Sequence, residues 1–229
     1  MKKLIKLLFA SLLFQFTDIG KTEDLPKPYI QTTLTSDYMA PQGAVADGKS
    51  RQDWISVNPT KNLTLGIWEN YSFKEHAVND RDYVSSLGVP INSNLTASVG
   101  FQYWTYPTGS FGNFDSAETA SLQYSGLIDG ELKYTHLNRD SQTERGERVQ
   151  AGLSKTINLT KDFLLKPFLS TCYVDNYYGL NGFSQVTPGI SLNLSKGNFN
   201  ASASASTQKG LVDSIKDKSY WSVSVGYQF

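Results

Sequence analysis

The sequence predicts an all-β chain: an antiparallel up-and-down transmembrane β-barrel of about twelve strands behind an N-terminal signal peptide. Three observations lead there. Apolar residues are spread thinly among Ser, Thr, Asn and Gly, turns recur about every 32 residues, and most segments between turns alternate between apolar and polar positions. Only 39% of the 229 residues are hydrophobic while 13% are aromatic, which suits a sheet with one apolar and one polar face. The 21 basic and 21 acidic residues cancel, so the basic footprint of a nucleic-acid binder is missing. A single cysteine excludes a disulfide framework and a cysteine metal site.

In chain order, Lys2, Lys3 and Lys6 precede an apolar run over residues 7–14, the charged-then-apolar order of a secretory signal. The run is far shorter than the roughly 20 apolar residues a membrane-spanning helix needs. Residues 1–20 are therefore assigned to the signal peptide, with the cleavage position open. Residues 21–28 form a short periplasmic lead and 29–229 the barrel.

Asn-Leu-Thr begins at Asn62, Asn94 and Asn158, spaced 32 and 64 residues apart. The missing midpoint is filled by the turn-like Ser125, Gly126, Asp129 and Gly130, and Ser195 to Asn198 supplies a further short turn. Between these marks lie longer polar stretches at 74–82, 107–116, 139–146, 175–182 and 210–219. Short turns at one end and long loops at the other are the connectivity of an outer-membrane barrel.

Alternation assigns the faces. Trp221, Val223, Val225, Tyr227 and Phe229 share one side of the last segment, and Ser222, Ser224, Gly226 and Gln228 the other. Leu95, Ala97, Val99, Phe101 and Tyr103 alternate with Thr96, Ser98, Gly100 and Gln102. On this parity the lumen is lined by Gln31, Thr33, Thr35, Asp37, Thr96, Ser98, Gln102, Glu131, Lys133, Arg148, Gln150, Asn200, Ser202, Ser204 and Gln228. Glu131, Lys133 and Arg148 are expected to form a mixed-charge patch in the outer half.

Three segments resist. Alternation through 63–73 places Glu69 on the lipid face, and a bulge near Glu69 and Asn70 is the expected escape. Residues 163–174 are apolar on both faces around Lys166 and Pro167, and the segment around Trp54 and Ile55 is too polar to orient. Tyr29, Tyr38, Tyr71, Tyr103, Tyr106, Tyr124, Tyr134 and Tyr220 fall near strand ends, as interfacial girdles would.

Residues 31–57, the run LGIWENYSF and the run FQYWTYPTGSFGNFDSAETASLQY resemble the TorF-type porins of bacterial outer membranes. Ser36, Asp37, Tyr38 and Gly43 match a Ser-Asp-Tyr then Arg-Gly pattern, whose Arg is absent here. Tyr106 and Pro107 match a Tyr-Pro pair, and residues 115–118 an acidic loop. The resemblance covers about half the chain and implies an outer-membrane barrel more firmly than a transport activity. An apolar last strand closed by Tyr227 and Phe229 likewise resembles the C-terminal signal that the barrel-assembly machinery recognises.

The main functional reading is a monomeric outer-membrane channel for passive diffusion of small hydrophilic solutes, surrounded by lipid, with no cofactor, metal or nucleic acid. A structural or surface-interaction barrel with a closed lumen is the alternative. A lipid hydrolase is the weakest of the three: His136 is followed two positions later by Asn138, so the hydroxyl of a Ser-His mechanism is missing. Its plain reading is an aromatic at the outer membrane boundary.

Overall fold

The computed structural model describes residues 27–39, 45–46, 48–108, 114–139 and 145–229. The 1–20 signal peptide, most of the 21–28 lead and Gly43 lie outside them. Twelve long strands run through the described residues: β1 (Tyr29–Thr35), β2 (Ser50–Thr60), β3 (Leu63–Ser72), β4 (Ala77–Pro90), β5 (Leu95–Thr105), β6 (Phe114–Tyr124), β7 (Asp129–Arg139), β8 (Arg145–Ser154), β9 (Phe163–Tyr177), β10 (Leu180–Lys196), β11 (Phe199–Gly210) and β12 (Lys218–Gln228). Each pairs antiparallel with the next, and β12 returns to β1 from Tyr29↔Gln228 to Thr35↔Ser222, so the sheet closes without an edge. Closure is what lets a sheet sit in lipid, where no water serves an open edge. Three short strands complete the described architecture: Ile157–Asn158 lies against β9, and Tyr38–Met39 pairs with Val45–Ala46 beyond β1.

Register partners in a sheet share a face, so the parity of one strand fixes its neighbours. From Ile30 the outward row runs through Ile55, Ile67, Tyr83 and Tyr103, and from Phe101 through Glu118, His136 and Glu147. Ile55 is 50% exposed and Leu153 57%, values that only a lipid-facing surface explains for such apolar side chains. Inward rows carry hydroxyls and amides, which pair across strands: Ser98 with Ser121, Ser202 with Ser224 and Ser204 with Ser222, each at 2.7 Å.

The segments that resisted alternation now resolve. Glu69 remains outward, level with Asp53, and the register shift falls after Asn70, where Asn79 is the extra residue on β4. The bulge therefore does not rescue Glu69; Arg81 on the adjacent strand does, through an ion pair. On β9, Leu164, Lys166, Phe168, Ser170, Cys172 and Val174 face inward, and Leu165, Pro167, Leu169, Thr171 and Tyr173 outward. Trp54 turns inward over Gly66, where any Cβ would collide with its ring, and Ile55 turns outward.

Loop asymmetry is weaker than expected. Residues 77–82 of the 74–82 stretch belong to β4, and 175–182 contracts to the two-residue hairpin Tyr178 and Gly179. Both take positive φ, 52° and 75°, the requirement of a type I′ turn. At the opposite end, 155–162 is longer than either. Polar composition marked these stretches as loops, yet strands that outlast the lipid band are polar for the same reason. The tyrosine girdle also needs correction. Tyr71, Tyr103, Tyr124 and Tyr134 lie on outward rows, whereas Tyr29 and Tyr220 pair with inward residues and Tyr38 and Tyr106 are buried.

Candidate functional site

The interior changes character along the barrel axis. Toward the 61–62, 125–128 and 197–198 turns, here called the inner end, inward side chains remain half-buried and border open space. A cavity of about 370 Å³ is lined by Tyr29, Gln31, Lys166, Asn193, Asn200 and Ser202. A second, of about 410 Å³ at the same rim, is bordered by Gln123, Glu131, Lys166, Phe168 and Ser170. Lys166 lines both. Sequence reading missed it because the residues around it are apolar on both sides; only the register with β8 and β10 reveals its face.

Toward the other end the inward residues become inaccessible on strand after strand. Along β7, Glu131 is exposed and Lys133 half-buried, while Thr135 and Leu137 are buried. Along β11, Asn200, Ser202 and Ser204 are half-buried, and Ser206 and Gln208 are buried. Trp104, Tyr106, Ala117, Leu137, Cys172, Val174 and Tyr177 form one packed cluster there, with Tyr178 and Leu180 against it. Asp115 accepts hydrogen bonds from Tyr106 at 3.0 Å and Tyr178 at 2.8 Å, and Tyr38 donates to Asp80 at 2.7 Å. This tyrosine-carboxylate layer constricts the outer lumen. Alternation could have placed Trp104 and Asp115 inward, but nothing in the sequence said that they would meet Tyr177 and Tyr178 respectively.

Each lumen candidate can be located. Gln31 accepts from Tyr29 at 2.8 Å and donates to Thr33 at 3.2 Å, all on the inward side of β1. Asp37 lies just past β1, 2.7 Å from the Lys218 ammonium. Gln102 and Gln150 are half-buried on inward rows, with Asn200, Ser202 and Ser204 on β11 opposite Gly226, Ser224 and Ser222. Gln228 closes the inner rim by donating to the carbonyls of Lys27 at 2.7 Å and Pro28 at 3.0 Å. Tyr227 and Phe229 lie outward, ring centroids 5.0 Å apart.

Glu131, Lys133 and Arg148 do not form one outer patch. Arg148 is the partner of Thr135, to which it donates at 3.2 Å, and its guanidinium sits 5.2 Å over the Tyr177 ring. Glu131 is four residues nearer the inner turn, a separation of about 13 Å along a strand. It belongs to the inner cavity and Arg148 to the constriction.

His136 faces outward between Glu118 and Glu147, its Nδ1 4.0 Å from the Glu147 carboxylate. Among the described residues no three His, Cys, Asp or Glu side chains converge as a metal centre.

A closed antiparallel barrel with an apolar exterior and a polar interior is an outer-membrane β-barrel, and this chain is one. Solved structures of that class share its fold. The KdgM porin matches with a TM-score of 0.62 and 14% identity, over 88% of this chain and 99% of that one. The NanC porin matches with a TM-score of 0.57 and 10% identity, over 88% and 98%. The COG4313 outer membrane channel from Pseudomonas putida F1 matches with a TM-score of 0.57 and 11% identity, over 93% and 100%. No family model and no curated relative matches the sequence.

Proposed function

We propose that the chain is an outer-membrane channel passing small hydrophilic solutes by diffusion, in the manner of the TorF-type porins its sequence resembles. The observation that carries this reading is the inner half of the lumen, where Gln31, Asn193, Asn200, Ser202 and Lys166 present polar groups to open cavities. A wall of hydroxyls and amides without water or solute would leave costly unmet hydrogen-bonding groups, about 1–3 kcal/mol each. In this reading the protein acts as a monomer, in contact with outer-membrane lipid, and Tyr227 and Phe229 present the final strand to the assembly machinery. The structural neighbours that are porins and channels agree with it.

One observation favours the closed, structural alternative: the buried layer around Tyr177 and Trp104. Single-channel recording of the refolded protein in a planar bilayer decides between them. A channel gives discrete current steps, larger in Tyr177→Ala than in wild type. Silence in both proteins at every voltage would overturn the channel reading and leave the structural one.

A further inference from the structure

At the outer end of the interior, three buried oxygens on β3 and β4 receive no hydrogen bond from an N–H or hydroxyl group among the described residues. Asp80 and Asp82 stand two apart on β4 and share its inward side, with Asn70 and Trp68 as their partners on β3. The bulge beside them turns both Asn79 and Asp80 inward, where they are 9% and 7% exposed; Asn70 is 1% exposed. Bulges are a recurrent means of re-aiming a side chain. Asn70 Nδ2 donates to Asn79 Oδ1 at 2.7 Å, which leaves Asn70 Oδ1 without a donor. Tyr38 occupies Asp80 Oδ2, and no N–H or hydroxyl group of the described residues donates to Asp80 Oδ1 or Asp82 Oδ1. The two carboxyl groups nevertheless lie within hydrogen-bonding reach of one another. Cationic help is directed elsewhere: Arg148 is turned to Thr135 and Tyr177, and Arg81, on the opposite face, to Glu69. Trp104, the partner of Asp82 on β5, does not serve it either, since its Nε1 meets no acceptor.

We propose that Asn70 Oδ1, Asp80 Oδ1 and Asp82 Oδ1 form a binding site for a hydrated divalent cation of the calcium and magnesium class. Two carboxylates supply the charge, an amide carbonyl adds a neutral oxygen, and water completes the shell, as hard cations prefer. No sulfur or imidazole belongs to the set, which disfavours softer metals. With only three protein oxygens the affinity belongs at the weak end, a dissociation constant of about 10⁻⁴–10⁻³ M. A bound cation would relieve the repulsion between Asp80 and Asp82 and tie β3 to β4 across the bulge.

Terbium(III), an oxygen-seeking ion whose emission is sensitised by nearby indole and phenol rings, tests the site in the refolded full chain in detergent micelles. Trp68 is the register partner of Asp82, and its ring lies 6.2 Å from that of Tyr38. Saturable sensitised emission is expected, reversed by excess calcium. Asp82→Asn should weaken the midpoint at least about tenfold. Trp68→Phe should lower the amplitude at an unchanged midpoint, and it decides the matter if Asp82→Asn fails to show the heat-modifiable mobility of a folded barrel. Glu118→Gln and Glu147→Gln, on the outward face, should change nothing. Absence of saturable emission at millimolar terbium would overturn the proposal and leave a proton shared between the two carboxyl groups. Emission insensitive to both Asp82→Asn and Trp68→Phe would overturn it as well, by placing the ion on another surface.

Discussion

Glu69 and Arg81 are register partners on the outward face of the barrel, joined Oε1 to Nε at 2.5 Å. Beside them Asp53 accepts from Arg51 and Thr32, each at 2.9 Å, so four charges on the exterior are paired two by two. A charge on a lipid-facing strand is costly alone, and a partner removes much of that cost. Arg81→Leu should therefore destabilise the folded barrel by about 1–2 kcal/mol, a figure reduced because both side chains are about one-third exposed. Arg81→Leu combined with Glu69→Leu should recover most of the loss. Urea titration of the folded, heat-modifiable band measures both; a double variant as weak as the single one would show that the pair is needed for more than mutual neutralisation.

The barrel seam supplies a second expectation. Tyr227 and Phe229 lie on the exterior, whereas Gln228 points inward and fastens the end of β12 to the carbonyls of Lys27 and Pro28, where Phe229 N also donates at 3.0 Å. Tyr227→Ser with Phe229→Ser should reduce the amount of protein assembled in cells. Gln228→Ala should leave assembly intact and lower the unfolding temperature of what assembles, by loss of about 1–2 kcal/mol of hydrogen bonding. Equal assembly defects from the two changes would contradict this division.

Strand count, closure and most inward faces were legible because period-2 alternation is the direct imprint of a two-sided sheet. Legibility failed where side chains answer to neighbours far away in sequence. Glu69 looks misplaced until Arg81 is beside it, and Lys166 has no face until β8 and β10 supply the register. Asp80 and Asp82 read as loop because they are acidic and adjacent to a turn, although they are strand residues that help to constrict the lumen. Glu131 has the inward parity that alternation gives it but lies toward the inner end, away from Arg148 in the outer half, since alternation carries no information about position along the axis.

Beyond β11, Asp217 fastens the loop to the barrel rim. Its Oδ2 meets the Lys209 ammonium at 3.1 Å and its Oδ1 accepts from Gly210 N at 2.9 Å, and Lys209 first, then Gly210, holds the carboxyl below its ordinary value. A depressed folded value stabilises the closed loop above the ordinary carboxylate range and loses that contribution as pH falls through it. Protection of the Gly210 amide from hydrogen exchange should thus be constant near neutrality and decline below about pH 4. Asp217→Asn should lower protection at neutral pH and remove the decline; retention of the pH step in that variant would assign it to another group.

Charge selectivity is the sharpest test of how the lumen is divided. Glu131 and Lys133 lie two apart on one side of β7, a spacing of about 7 Å, within the Debye length of about 8 Å at physiological salt. Their fields cancel in part, and Lys166 on β9 adds a positive charge bordering both inner cavities, with Asp129 opposing it at the rim of the second. The conducting protein is expected to be weakly selective, with Glu131→Gln moving the reversal potential toward anions and Lys166→Gln moving it toward cations. Arg148→Gln should behave differently, because Arg148 is only 4% exposed and its guanidinium is engaged with Thr135 and Tyr177. Loss of that buried charge should destabilise the outer layer and change open probability, with little effect on selectivity. Reversal potentials in a salt gradient, measured alongside open probability for the three variants, separate these roles. A selectivity shift in Arg148→Gln as large as that in Lys166→Gln would mean that permeating ions pass Arg148 directly, and that the outer layer is open when the channel conducts.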